Sequence, residues 1–110
     1  MDIEKKGHTV ILSYQVNDNQ GFTDTLMSSH NDFLEHNLII NLTPANQVEM
    51  DDIMALIPIS DNHRKRKKSF VVVVPNIDFN EVPDEIMVVP TILEAHDLIE
   101  MEEIERDLGF

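Results

Sequence analysis

The sequence contains no cysteine and only three glycines, and both shortages narrow its chemistry. Without cysteine, the chain can form no disulfide, no thiolate zinc site and no cysteine nucleophile. Gly7, Gly21 and Gly109 are too far apart to build a phosphate-binding loop, which needs closely spaced glycines. The sequence also lacks a nucleophile elbow and a dinucleotide-binding fingerprint. We therefore do not expect an enzyme.

Long apolar segments and an excess of positive charge are missing as well. The run from Val71 to Val74 is short beside the about 20 apolar residues of a membrane-spanning helix. The first residues, MDIEKKG, contain no apolar stretch of the kind that a secretion signal needs, so we expect a cytoplasmic protein without membrane contact. The formal net charge of −13 repels phosphate, which argues against general nucleic-acid binding.

The histidines do not have the spacing of metal ligands. They are His8, His30, His36, His63 and His96. None forms the His-x-His or His-Glu-x-x-His pattern typical of a metal site, so we expect no metal and no other cofactor. Ribonuclease Z binds its metal through a motif of closely spaced His and Asp residues, and this sequence lacks that motif. In addition, 110 residues are too few for that enzyme's fold. A nuclease is therefore rejected on chemical grounds.

Short apolar blocks rich in β-branched residues predict the strands of a sheet. Asn37 to Thr43 (NLIINLT) and Ser69 to Pro75 (SFVVVVP) suit strands that are buried on both faces. Residues 3–4 and 8–15, joined by a turn at Gly7, predict an earlier hairpin, and Glu85 to Pro90 a last strand. With helices between them, the order is β-β-α-β-α-β-β-α. Residues 1–110 are thus expected to form one α/β domain.

Helical spacing and capping signals predict three helices. The first extends from Phe22 to near His36. Asn46 and Glu49 have the form of a capping box that opens the second helix, with a kink expected at Pro58. The packing face of this second helix is expected to comprise Met50, Ile53, Met54 and Ile57.

The last helix begins at a second capping box, formed by Thr91 and Glu94, and ends at Gly109. Its packing residues recur at helical spacing. They are Ile92, Ala95, Leu98, Ile99 and Met101, with Ile104 and Leu108 further on.

The segment NLIINLTPANQVEMDDIMALI resembles the central motif of the STAS family, which is named for sulfate transporters and anti-sigma-factor antagonists. Ile40 to Thr43 stand at the family's strand end, and Glu49 to Asp52 at its helix start. SFVVVVP resembles the family's next strand, and Thr91 to Ala95 the threonine-led start of its last helix. This resemblance implies a STAS-like mixed sheet of four to five strands with helices mainly on one face.

Two features depart from the family pattern. The regulated members carry a phosphorylatable serine or threonine at the helix start, whereas this chain has none between Thr43 and Ser60. Asp51 stands at the matching position. The link after SFVVVVP is short, so the family's third helix is expected to be reduced or missing.

The resemblance implies a regulatory, protein-binding domain in a bacterial sigma-factor circuit, with an anti-sigma kinase as partner. The expected contact surface comprises Asn46, Glu49, Met50, Asp51, Asp52 and Met54. Asp51 would place a permanent negative charge where relatives gain a phosphate, although a carboxylate carries only about half of that charge. A simpler interpretation is that these acids only favour the helix start, by roughly 0.3–1 kcal/mol.

Two charged segments support an alternative function. Arg64 to Lys68 hold five of the eight basic residues, while the last helix is rich in acids. Either segment could bind an enzyme or an RNA-processing protein, which would make the chain a small accessory subunit. The basic segment could also bind the acidic helix of a neighbouring copy in a weak homo-oligomer. More simply, both are solvated charged surfaces.

Overall fold

A single five-stranded mixed sheet forms the centre of the molecule. The structure is a computed structural model that describes residues 2–14, 24, 26–28, 30–44 and 48–109. The strands are β1 (Asp2–Lys6), β2 (Thr9–Ser13), β3 (Asn37–Asn41), β4 (Phe70–Val73) and β5 (Met87–Val89), and they lie side by side in chain order. β1 and β2 form an antiparallel hairpin through Gly7, whose φ of 59° suits the turn. The remaining pairs are parallel. The predicted fold class, an α/β fold with a mixed sheet of four to five strands, is confirmed.

The three central strands are buried on both faces, as the apolar blocks predict. Leu12, Ile40 and Val72 are aligned in the register of β2, β3 and β4 and lie in the larger core on one face. Ile39 and Val71 point the other way and belong to a smaller core. Because successive side chains of a strand alternate between faces, a continuous apolar run can serve both cores at once.

The helices between β3 and β4 pack on the larger core. Two helices, α1 (Met50–Met54) and α2 (Ile57–Lys65), stand where the sequence predicts one kinked helix. The break falls at residues 55–56, and Pro58 lies in the first turn of α2, where its missing N–H costs no helical hydrogen bond. Ile53, Leu56 and Ile59 are buried against the sheet. Met54, predicted to pack, is exposed instead.

The first predicted helix, Phe22 to His36, falls partly outside the described residues. Within them, residues 24 and 26–28 are helical, and a 3-10 helix spans His30–Phe33. Leu26 and Phe33 add to the larger core. After β4, a 3-10 helix at Phe79–Glu81 takes the place of a full helix, which agrees with the short link in the sequence.

Helix α3 (Ile92–Asp107) covers the opposite face of the sheet. The hydroxyl oxygen of Thr91 accepts a hydrogen bond from the Glu94 N–H at 3.1 Å, and Gly109 follows the helix with a φ of 82°. Ala95 and Ile99 of this helix are buried against the sheet. However, Met101, Ile104 and Leu108 point away from the sheet, so the sequence-based packing face is wrong for these three residues. Among the described residues, no helix is both long and apolar enough to cross a membrane.

Candidate functional site

The predicted contact surface lies just beyond the carboxyl end of β3. The amide of Asn41 donates a hydrogen bond to the Ser13 hydroxyl at 3.0 Å, which joins the ends of β3 and β2. The side-chain oxygen of Asn41 accepts from the Thr43 N–H at 3.1 Å and so fixes the first turn of the following loop. In sheets of this kind the carboxyl ends of parallel strands are where binding sites form. Helix α1 is therefore exposed to solvent at the carboxyl ends of the parallel strands.

Helix α1 is capped by Glu49 and not by the predicted Asn46. Glu49 has an extended backbone, and its N–H donates to the Asp52 carboxylate at 2.8 Å. The predicted cap is thus three residues too early, because Glu49 and Asp52 provide a competing cap closer to the buried Ile53. Asn46 itself lies outside the described residues.

Some of the remaining residues of the predicted surface stabilise helix α1, and others are exposed to solvent. Asp52 is half-buried and holds the helix start, whereas Glu49 and Asp51 are exposed. Met54 is 47% exposed, one helical turn after Met50, which is half-buried. The buried Ile53 anchors α1 between them. The chain thus presents acids and a flexible apolar side chain together at this position.

The basic segment and the acidic last helix meet within one molecule. The guanidinium group of Arg64 donates to the Glu102 carboxylate at 3.1 Å and to the Phe70 carbonyl at 3.1 Å. Glu102 also accepts a hydrogen bond of 2.5 Å from the Ser69 hydroxyl. Glu102 is consequently half-buried, and its predicted place on a solvated face is wrong.

Arg106 extends this network at the amino ends of β3 and β4. Its guanidinium group donates to the Ser69 hydroxyl at 3.2 Å and to the Asn37 side-chain oxygen at 3.3 Å. The Ser69 N–H donates to the same Asn37 oxygen at 2.9 Å. Sequence reasoning missed this cluster, although Asn37 and Ser69 open two apolar blocks at equivalent positions. The network joins the sheet to α3 and gives the amino edge a structural role.

Two of the scattered histidines, His30 and His63, are buried with their rings hydrogen-bonded to each other. His63 donates from Nε2 to the His36 carbonyl at 2.6 Å, which leaves its Nδ1 as acceptor for the His30 ring at 3.0 Å. Burial, together with nearby cationic side chains, lowers the pKa of His63 to about 4, and burial also lowers the pKa of His30. Both rings are therefore neutral at pH 7. Sequence spacing carries no signal for this contact, since 33 residues separate the rings.

The described residues contain no group of three or more His, Asp or Glu side chains arranged to hold a metal ion. The polar groups with the densest hydrogen bonding, at Arg64, Glu102 and Arg106, satisfy one another. The acids of α1, by contrast, face solvent. The arrangement suits recognition of another molecule by charge and shape.

The comparisons with solved structures agree with this architecture. A crystal structure from Thermotoga maritima, described as a candidate anti-sigma factor antagonist, superposes with a TM-score of 0.63 at 14% identity and covers 90% of this chain and 93% of that one. An NMR structure of the same protein gives 0.62 at 13% identity, over 89% and 86% of the two chains.

The RsbS protein of Moorella thermoacetica, in a variant with a glutamate in place of a serine, gives a TM-score of 0.60 at 14% identity, over 91% of this chain and 94% of that one. No protein-family model matches the sequence. No characterised protein matches it significantly in sequence. At these identities the likeness concerns the fold, and the chain accordingly has the STAS-like α/β fold seen in anti-sigma factor antagonists.

Proposed function

We propose that this protein is a non-enzymatic regulatory domain that acts in the cytoplasm and binds a protein partner through α1, in the manner of an anti-sigma factor antagonist. The observation that carries the proposal is the exposed acidic start of α1 on a fold shared with such antagonists. An anti-sigma kinase is the partner that this resemblance implies. The surface comprises Glu49, Met50, Asp51, Asp52 and Met54, together with the neighbouring Asn46.

Asp51 supplies a permanent charge in this proposal. Its side chain is exposed in the first helical turn, whereas Asp52 is occupied by the Glu49 N–H. A carboxylate carries about one negative charge against nearly two for a phosphate, so the mimicry is partial and the state constitutive. The RsbS structure bears a glutamate in place of a serine, which indicates that this fold accepts a permanent acid.

Met54 supplies the apolar part of the contact. It is exposed on the helix that carries the acids, and methionine adapts its shape to a partner through three rotatable bonds. An acid beside a flexible apolar side chain provides both orientation and buried area on binding. Binding through these two kinds of contact requires no cofactor.

Affinity capture from the native host tests the proposal. Tagged wild type should recover a protein with the ATPase fold of an anti-sigma kinase, and Asp51→Lys should lose it. Asp61→Lys is the matched control, because it makes the same charge change at an exposed position of α2. Folding of each variant is checked by circular dichroism.

A second series then examines Asp51 itself with the purified partner. Binding should weaken from wild type through Asp51→Ser and Asp51→Ala to Asp51→Lys. Equal affinity across all of them would mean that the acid only starts the helix. Capture of the same proteins by wild type and Asp51→Lys would move the interface away from α1.

The accessory-subunit alternative remains of interest because of α3. Glu100, Glu105 and Asp107 are exposed there, whereas Arg64 of the basic segment is paired within the chain. Loss of a captured enzyme or RNA-processing protein on neutralising these three acids, with no effect of Asp51→Lys, would favour this alternative.

A further inference from the structure

Helix α3 bears a second apolar stripe on the side that faces away from the sheet. The exposed fractions are 71% for Leu93, 59% for Met101, 52% for Ile104 and 66% for Leu108. The face toward the sheet already contains Ala95 and Ile99, which supply the packing of the helix. The stripe is therefore not needed for the fold of the single chain.

The spacing places these four side chains in one line. Steps of 8, 3 and 4 residues return to the same side of a helix with 3.6 residues per turn, along about four turns. Asp97 occupies the gap between Leu93 and Met101 and is exposed as well. A helix on the surface of a monomer normally presents polar residues to solvent, whereas Met101, Ile104 and Leu108 form an uninterrupted group of exposed apolar side chains, which is typical of an interaction surface.

The charges beside the stripe all have the same sign. Glu94 and Glu105 lie on one side of it, Glu100 and Asp107 on the other, and all four are exposed. Arg106 lies on the opposite side of the helix, where it contacts Asn37 and Ser69. A partner must therefore combine apolar residues in its centre with cationic residues at its edges.

A second copy of this chain does not meet that requirement. Two α3 helices packed through their stripes would oppose acid to acid in a protein of net charge −13. The basic segment offers Lys65 and Lys67 at the surface, but the exposed large apolar side chains of the described residues all lie outside residues 64–68. The acids of α3 could attract the basic segment of a second copy, but that segment has no exposed large apolar side chain to cover the stripe.

We propose that the stripe of Leu93, Met101, Ile104 and Leu108 is a docking surface for a cationic amphipathic helix of a partner protein. The partner's apolar residues cover the stripe, and its Lys or Arg residues pair with the acids on both sides. This inference goes beyond the proposed function, because α3 and α1 lie on opposite faces of the sheet. Both surfaces can be occupied at the same time.

A synthetic peptide of about 18 residues, or five helical turns, provides the first probe. It contains only Leu and Lys, with Leu at helical spacing on one face. Fluorescence anisotropy at physiological salt measures its binding to wild type. A scrambled peptide of equal composition, which cannot form an apolar face, separates shape from net charge.

The variant Met101→Gln with Ile104→Gln removes the middle of the stripe without adding charge. We expect it to bind the amphipathic peptide at least about tenfold more weakly, since few central residues carry most of the affinity of an interface. Met27→Gln is the control, because it removes a methionine that is 61% exposed, close to the 59% of Met101, from a position that belongs to neither proposed surface, and it should leave affinity unchanged. Urea unfolding of both variants checks that each remains folded.

Three outcomes would overturn the inference. Equal affinity for the amphipathic and the scrambled peptide would mean that net charge alone accounts for binding. Equal affinity of the double variant and wild type for the amphipathic peptide would mean that the stripe does not contact it. Sedimentation of wild type as a dimer that Met101→Gln with Ile104→Gln dissociates would make a second copy the occupant. Because Asp51→Lys should not alter peptide binding, failure of the α1 proposal is distinguished from failure of this one.

Discussion

The guanidinium group of Arg64 and the carboxylate of Glu102 are hydrogen-bonded at 3.1 Å, 38 residues apart in the chain. Arg64 belongs to α2 and Glu102 to α3, so this ion pair joins helices that cover opposite faces of the sheet. It also places part of the basic segment against the acidic helix of the same molecule. Arg64 is therefore less available to another chain than its place in a run of five cations indicates.

Breaking this ion pair should destabilise the domain measurably. The side chains are 29% and 18% exposed, and Glu102 also accepts from Ser69. We expect Arg64→Met or Glu102→Gln to lower the free energy of unfolding by about 1–2 kcal/mol, between the values for surface and buried charged hydrogen bonds. Urea denaturation of both single variants and the double variant gives the coupling energy.

The chain supplies its own control for that measurement. Arg66 and Glu35 form an ion pair at 3.4 Å, with side chains that are 44% and 80% exposed. Because solvent screens this pair, its coupling energy should stay below about 0.5 kcal/mol. If the coupling energy of Arg66 and Glu35 were as large as that of Arg64 and Glu102, burial would not determine the strength of these ion pairs.

Acid should destabilise the protein through His63. Burial lowers the folded-state pKa of His63 to about 4, from 6.5, so between these values the unfolded chain binds more protons than the folded one. Stability is therefore retained above pH 6.5 and lost as the pH falls toward 4. We expect a loss on the order of 2 kcal/mol between pH 7 and pH 5, measured by urea denaturation.

Substitution identifies the group responsible for this pH dependence. His63→Gln should lower stability at pH 7, since it disturbs the contacts to His30 and to the His36 carbonyl, yet it should flatten the slope between pH 7 and pH 5. His8→Gln removes an exposed histidine and should not flatten it. An unchanged slope in His63→Gln would assign the acid sensitivity to another group.

The second residue after the end of α2 has a strained backbone conformation. Lys67 has a φ of 63° and donates its N–H to the Arg64 carbonyl at 2.9 Å, at a position usually occupied by glycine. We expect Lys67→Gly to raise the free energy of unfolding by about 0.5–1 kcal/mol, because relief of the strain exceeds the added flexibility of the unfolded chain. Lys67→Ala removes the same charge but keeps the Cβ. It should give no such gain in thermal or urea unfolding.

The two adjacent aspartates of α1 should separate in their effects on stability. Asp52→Ala removes the acceptor of the Glu49 N–H and should cost about 0.5–1.5 kcal/mol, as for other lost caps. Asp51→Ala alters an exposed side chain and should change the unfolding free energy by less than about 0.5 kcal/mol. A large loss from Asp51→Ala in urea denaturation would indicate that this residue is structural.

The sequence predicts the sheet and the last helix well because local signals agree there. The apolar blocks that contain β3 and β4 are too short for helices and too continuous for half-exposed strands. Thr91 starts α3 at the predicted residue because a hydroxyl cap acts within one turn. At α1 two capping signals overlap, and the choice of Glu49 over Asn46 depends on how the buried Ile53 reaches the sheet.

Long-range contacts account for what the sequence could not predict. Helix α3 has apolar residues on two opposite sides, so spacing alone cannot tell whether Ile99 or Ile104 faces the sheet. The contact between His30 and His63 likewise depends on the packing of α2 beside the 3-10 helix. For the candidate site, the exposure of Asp51 is established, whereas its role in binding stays a prediction.

The exposed hairpin strand β1 has a consequence for the solubility of the protein. All five of its residues are exposed, and four of them are charged. It pairs along the whole of β2, whose sequence TVILS has almost no exposed surface of its own. A chain cleaved after Lys6 would leave β2 as a bare, apolar edge able to recruit strands from other molecules. The charged outer strand thus protects this edge of the sheet from pairing with other molecules, and a protease that removed it would leave the domain prone to aggregate.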